Sequence, residues 1–244
     1  MANIKVTLEY DGTNYHGWQR QKNTKMTVQQ QLEDVLTVLN KAKVTVHGAG
    51  RTDAGVHACG QVANFDLGVF IPAKKIPLAL NSELPKDIIC KQAREVPKSF
   101  HARYDARDKV YCYRISNQRF PGVFTRYYVY NIYQPLDFEK MKKAIAVIKG
   151  KHDFAAFQAR GADCQDTVRT IKNINFYRVG REYHLKITGD GFLYNMVRII
   201  AGTLIEIGLE KRPPDFREII KSKNRNQAGF TAPAKGLTLL KISY

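Results

Sequence analysis

Asp53 stands inside Gly48-Ala49-Gly50-Arg51-Thr52-Asp53-Ala54-Gly55-Val56-His57-Ala58, a loop with three glycines and one carboxylate two positions after an arginine. Glycine at these places lets the backbone take positive φ and lets a ligand approach closely. A surface turn is the plainest reading, because Gly and Asp are ordinary turn residues. A dinucleotide loop is disfavoured: after Gly48 and Gly50 that fingerprint needs glycine where Asp53 stands, and an acid there would face the pyrophosphate. No Gly-Lys-Ser or Gly-Lys-Thr follows, so a nucleoside-triphosphate cradle is unsupported as well. What remains is a nucleophile or general base, with Arg51 close enough to favour the ionised carboxylate.

A second residue out of keeping with its surroundings is Arg198, inside the apolar run Met196-Val197-Arg198-Ile199-Ile200. Burying it unpaired is costly, so it must either reach the surface or meet a carboxylate. Metal chemistry finds little support. Cys59, Cys90, Cys112 and Cys164 are far apart with no Cys-x-x-Cys, which argues against both a zinc knuckle and a disulfide framework. His57-Ala58-Cys59 offers two ligands, yet the His-x-Glu and Pro-Cys-x-x-Cys strings of zinc nucleobase deaminases are missing.

Elements to position these groups are legible in the hydrophobic pattern. Ile4 to Tyr10 alternates as a half-buried strand ending at Asp11-Gly12. Thr27 reads as a helix N-cap with Gln30 closing a capping box, and Val28, Leu32, Val35, Leu36 and Leu39 share one face. Strands are expected at Val44–Val46, Gln61–Phe65 and residues 87–92, with a helix around Leu78–Asn81. The second half replays the plan. A strand at Lys109–Ile115 precedes a helix capped by Asp137, carrying Phe138, Met141, Ile145 and Ile148 on one face and stopped by Gly150. Strands at residues 170–177 and 182–188 lead to Asp190-Gly191 and an apolar helix from Phe192 to Ile207, ended by Gly208. Leu237 to Ile242 closes the chain as a strand. This order predicts an α+β fold with antiparallel or mixed sheets, in two similar subdomains, residues 1–104 and 105–244. The loose parallel between the halves suggests duplication. The polar, basic stretch from Pro97 to Asp108 is the junction.

Lysine and arginine number 39 against 22 acidic residues, a surplus of 17 spread along the whole chain. Such a surplus points to a polyanionic partner and to salt-dependent phosphate contacts. The longest apolar stretch, Met196 to Leu209, is interrupted by Arg198 and Glu206 and is too short to span a bilayer. The start, Met1-Ala2-Asn3-Ile4-Lys5-Val6, has no secretory pattern, so a cytoplasmic location is expected.

Together the motifs resemble one family. Gly50 to Ala58, Tyr15-His16-Gly17-Trp18-Gln19-Arg20-Gln21, Phe100-His101-Ala102-Arg103, Tyr111-Cys112-Tyr113, Phe192-Leu193-Tyr194-Asn195-Met196-Val197-Arg198 and Thr231-Ala232-Pro233-Ala234-Lys235-Gly236-Leu237 occur in the order seen in the bacterial tRNA pseudouridine synthase A (TruA) family. The resemblance covers essentially the whole chain. It implies a pseudouridine synthase fold with a central cleft, acting without cofactor or metal, as a homodimer, on tRNA. The reaction would turn uridine into pseudouridine at positions 38, 39 and 40 of the anticodon stem-loop. By the same resemblance Asp53 is the catalytic aspartate, Tyr111 stacks on the flipped base, and Arg198 pairs with Asp53. Arg20, Arg51, His101 and Arg103 match motif positions that meet RNA, and Leu237 helps wall the pocket. Trp18 packs or stacks. Cys112 departs from the basic residue many relatives carry, which puts a phosphate contact in doubt. Two other classes fit parts of the same sequence. One is a non-catalytic RNA-binding module or chaperone, in which Asp53 merely holds a loop; the other is a nucleotide-utilising enzyme, weakened by the glycine spacing.

Overall fold

The computed structural model describes residues 1–161 and 165–244; Cys164, one of the four cysteines considered above, lies outside them. The chain divides into two compact units. The first comprises Met1–Arg107 with Thr238–Tyr244, the second Asp108–Leu237. The passage from one to the other thus falls at the end of the basic stretch expected as the junction. The closing strand, assigned by its position to the second half, belongs to the first unit: it adds in parallel to a strand end there, at Thr238 beside His57 and Leu239 beside Ala58.

In the first unit the elements are β1 (Ala2–Tyr10), α1 (Val28–Asn40), β2 (His47–Gly48), β3 (His57–Leu67), α2 (Ile76–Asn81) and β4 (Ile88–Val96). Strand order is β4, β1, β3 and then the closing strand, with β2 on β3. β1 is antiparallel to both its neighbours. The alternation in β1 buries Ile4, Val6, Leu8 and Tyr10. Its other face is partly covered too, because Asn3 donates to the carbonyls of Pro97 and Phe100 and so draws the 97–107 segment over it. α1 begins as expected, with the Thr27 hydroxyl accepting from Gln30 N. Only that half of the capping box forms, since the Gln30 amide turns to Asp34.

The strand expected at Val44–Val46 is absent. Val46 N donates to the Glu33 carboxylate and Val44 N to the Thr37 hydroxyl, so side chains of α1 take the backbone groups a ladder would have used. The ladder starts instead at His47.

The second unit holds β5 (Asp108–Ser116), β6 (Tyr130–Asn131), α3 (Phe138–Ile145), β7 (Gly150–Asp153), β8 (Val168–Val179), β9 (Glu182–Gly189), α4 (Met196–Gly208) and α5 (Phe216–Ser222), and the chain closes with β10 (Leu237–Ser243). Its sheet runs β5, β9, β8, β7 in antiparallel pairs, with β6 parallel to β5. Asp137 caps α3 by accepting from Lys140 N. The helix stops at Ile145 and passes through a 3-10 turn before Gly150, whose φ of +118° opens β7. α4 is buried nearly all round, which an apolar helix must be. Gly202 permits this, as a Cβ there would lie 1.9 Å from the Phe230 carbonyl oxygen. α4 starts at Met196, four residues later than the sequence suggests, because Asn195 takes a left-handed conformation at φ +59°.

Among the described residues no helix is long and apolar enough to cross a membrane. Nor do three His, Cys, Asp or Glu side chains gather there in a metal-binding group.

Candidate active site

Asp53 lies in the connection between β2 and β3, and the loop around it is held from three directions. From the sheet, Ala49 N donates to Val62 O at 2.8 Å and the Gln61 amide donates to Gly50 O at 2.8 Å. From the end of β1, the buried Tyr10 hydroxyl lies 2.8 Å from that of Thr52. From the segment after β1, Trp18 N donates to Thr52 O at 3.0 Å and Gly55 N to Tyr15 O at 3.2 Å. A tight turn then closes from Val56 N to Asp53 O at 3.1 Å, with Gly55 at φ +76°. That left-handed position is one a side chain disfavours. Gly17 allows the close approach on the other side, since a Cβ there would stand 2.6 Å from Thr52 O. The result is a loop fixed by its backbone that leaves Asp53 half-buried and Arg51 exposed.

Trp18 packs. Its indole lies against Gly48, where a Cβ would be 2.3 Å from Nε1, and beside the Tyr10 ring at 6.2 Å. Arg20 is engaged as well: its guanidinium donates to Glu33 at 2.9 Å. Glu33 is 3% exposed and also receives the Gln29 amide and Val46 N, so it anchors the whole approach to the loop.

His101 and Arg103 sit in a cluster of rings. His101 lies 4.9 Å from His47 and 4.3 Å from Tyr104, with the Arg103 guanidinium 5.8 Å from the Tyr104 ring. His101 Nδ1 accepts from Arg103 N at 3.1 Å. Desolvation first, and then the neighbouring His47, lower its pKa, so the ring favours its neutral form. His47 begins β2, six residues ahead of Asp53 in the chain.

In the second unit Tyr111 is buried and meets Phe192 edge-on at 5.2 Å. Tyr113, fully buried, donates to Pro233 O at 2.9 Å. Burial raises its pKa well above the usual range, with the charge of Arg198 acting in the opposite sense. Arg198 itself is half-buried: Nε donates to Ala232 O at 2.8 Å and Nη1 to Asn195 Oδ1 at 2.7 Å. Residues 232–236 therefore bind both groups, Arg198 through Ala232 and Tyr113 through Pro233 and Gly236. A Cβ on Gly236 would lie 2.6 Å from Tyr113 Cζ. Leu237 follows directly and is buried. Cys112, between the two tyrosines, is buried too.

Each unit thus assembles part of what the sequence pointed to: Asp53 with Arg51 on one loop and His101 with Arg103 on one ring cluster in the first, and Tyr111, Tyr113, Arg198 and Leu237 in the second. Sequence reasoning missed Asn195, Glu33, His47 and Tyr104. Asn195 falls inside the helix expected from Phe192, and no pattern announces that its amide oxygen accepts from an arginine three residues on.

A backbone-fixed aspartate loop stands in one α+β unit, and a tyrosine strand and an arginine helix stand in the other. The chain belongs to the tRNA pseudouridine synthase family, whose profile matches residues 7–105 and 144–244. It is 49% identical over 245 aligned residues to the tRNA pseudouridine synthase A of Acetivibrio thermocellus, covering all of both chains. The enzymes of the same name from Thermoanaerobacter pseudethanolicus and Bacillus licheniformis are 48% and 46% identical, over 100% and 99% of this chain and 100% and 98% of theirs.

Proposed function

We propose that this protein isomerises uridine to pseudouridine in tRNA, at positions 38, 39 and 40 of the anticodon arm, with Asp53, Tyr111 and Arg198 as its catalytic residues. The bond from ribose C1′ to N1 breaks, the uracil turns, and C1′ joins C5. The C5 proton leaves and N1 ends protonated, so the reaction is redox-neutral. The observation that carries this reading is the Asp53 loop. Asp53 stands half-buried on a loop held by the sheet, by Tyr10 through the Thr52 hydroxyl, and by the Tyr15–Trp18 segment. Chemistry by a carboxylate, as nucleophile or base, needs an anion that does not wander. A uridine within a stem must first leave its stack, which costs a few kcal/mol and calls for an aromatic partner; Tyr111 fills that role. Arg51, Arg103, His101 and Arg20 contact RNA, and Leu237 lies against the pocket. Since Arg20 is tied to Glu33, it acts through a shared ion pair; His101, neutral, acts by stacking or by Nε2–H. The protein works in the cytoplasm as a homodimer.

The test is carbodiimide-dependent primer extension on unmodified tRNA transcripts treated with the wild-type protein and with Asp53→Asn. Stops at 38, 39 or 40 should appear with the wild type alone, while Asp53→Asn keeps its affinity for tRNA. No stops with any tRNA would leave an RNA-binding module, and loss of binding together with activity would make the loop structural.

A further inference from the structure

A cavity of about 650 Å³ in the first unit is lined by Lys5 of β1, Lys74 before α2, Arg94 of β4 and Lys241 of β10, and by no acidic residue. It opens on the sheet face turned away from the Asp53 loop. Gln61 reaches that loop at Gly50, whereas its neighbour Val62 and Thr7, the residue paired with Val62, line the cavity, and successive strand residues point to opposite faces. The register sets Lys5 directly beside Arg94. None of these four cations forms an ion pair among the described residues.

Lys5 is the most constrained of them. It is 8% exposed, with its ammonium 3.5 Å from the centre of the Tyr244 ring and 5.0 Å from that of Phe100. A buried cation without a counter-ion is costly, and two adjacent like charges add to the cost. Burial and then Arg94 bring the Lys5 pKa down to about 8. Cation–π contact offsets part of the desolvation. An anion in the cavity would relieve the rest.

We propose that this groove binds the sugar–phosphate backbone of tRNA at a second site, apart from the catalytic loop. It takes phosphates of the tRNA body while the anticodon arm is engaged elsewhere, which rests on the function proposed above. Four cations and no carboxylate give charge without a base-reading pattern, so binding there is independent of sequence and sensitive to salt.

The experiment uses the Arg94→Glu/Lys241→Glu double variant, with Arg94→Gln/Lys241→Gln as the milder pair should the first melt early. The probes are a full-length unmodified tRNA transcript and its isolated anticodon stem-loop, with Kd measured across a potassium chloride series. Full-length tRNA should bind on the order of tenfold more weakly, with the log–log salt slope shallower by about 2. The stem-loop Kd and the single-turnover rate at saturating tRNA should be unchanged. An unchanged tRNA Kd, or an equal loss with the stem-loop, overturns the proposal. So does a change in sedimentation coefficient, which would make the groove a contact with a second copy of the chain. Failure of the functional reading is separate, since it would show as no isomerisation by the wild type whatever the binding data.

Discussion

Replacing Arg198 by lysine keeps the charge and removes the fork, and the outcome can be worked out from two hydrogen bonds. The guanidinium gives Nε to Ala232 O at 2.8 Å and Nη1 to Asn195 Oδ1 at 2.7 Å. Those acceptors come from different parts of the chain, one three residues before Arg198 and the other 34 residues after it. A single ammonium nitrogen satisfies one and leaves the other short of its donor. A hydrogen bond to a charged group contributes roughly 1.5–3 kcal/mol, and at about 2–4 °C per kcal/mol the melting temperature should fall by roughly 3–12 °C. Arg198→Lys therefore folds. Activity should suffer far more: losing one oriented charged donor at a reacting centre costs about 10²–10³ in kcat. The assay is release of tritium from tRNA carrying 5-tritiated uridine, because the C5 hydrogen must leave for C5 to bond to ribose. At saturating tRNA the variant should turn over at least about a hundredfold more slowly with its KM little altered. Near-wild-type kcat in a folded variant would refute the assignment, since it would show that neither the planar fork nor its two anchors matter.

Other residues give equally direct readings. Asn195→Ala removes one of those two anchors and puts alanine at φ +59°, so kcat should fall less than in Arg198→Lys while stability drops by about 1–3 kcal/mol in denaturant melts. Gly236→Ala pushes a methyl to 2.6 Å from the buried Tyr113 ring; overpacking of this kind costs about 1–3 kcal/mol, and an unchanged unfolding midpoint would show that the ring yields freely. His101 has a folded-state pKa below its ordinary 6.5, so the unfolded chain binds its proton more readily. Its contribution to stability is full above pH 6.5 and is lost as the pH falls through the folded value. NMR titration should place His101 below 6.5 and show it moving up in His47→Ala; a value above 6.5 in the wild type would contradict the packing described.

How much of this was legible depended on whether the deciding interaction was local. β1, the Thr27 and Asp137 caps and the β8–β9 hairpin follow from alternation and capping chemistry within a few residues, and they form where expected. Val44–Val46 has strand-like residues, but two polar side chains of α1 claim its N–H groups, a competition between segments that no window of sequence contains. The start of α4 was misplaced for a related reason. By sequence Asn195 sits inside the helix, but its left-handed backbone keeps residues 192–195 out of it while its side chain serves Arg198. Asp53 drew notice because its loop stands out chemically in a basic chain. The three-sided support of its loop, from Gln61, Tyr10 and the Tyr15–Trp18 segment, is tertiary and left no trace in the spacing.

The charge surplus shows the same division most sharply. From composition, 39 basic residues against 22 acidic ones say only that an anion binds. The structure sorts the cations by partner. Arg20 is held by Glu33, Arg114 by both oxygens of Glu182, Arg212 by Glu206 and Lys223 by Asp153. These support local structure, and their removal should change stability before it changes RNA affinity. Lys5, Arg94, Lys74 and Lys241 share one cavity without a carboxylate among the described residues, and they come from four separate segments, so no basic run in the sequence marks them. A polyanion that reaches both kinds of cation gains little from the first, because an existing partner must be displaced, and the full electrostatic attraction from the second. Salt dependence of tRNA binding should therefore respond to Arg94 and Lys241 more than to Arg20, although Arg20 lies in the motif nearer the Asp53 loop in sequence. The reverse order would mean that the Arg20–Glu33 pair opens on binding.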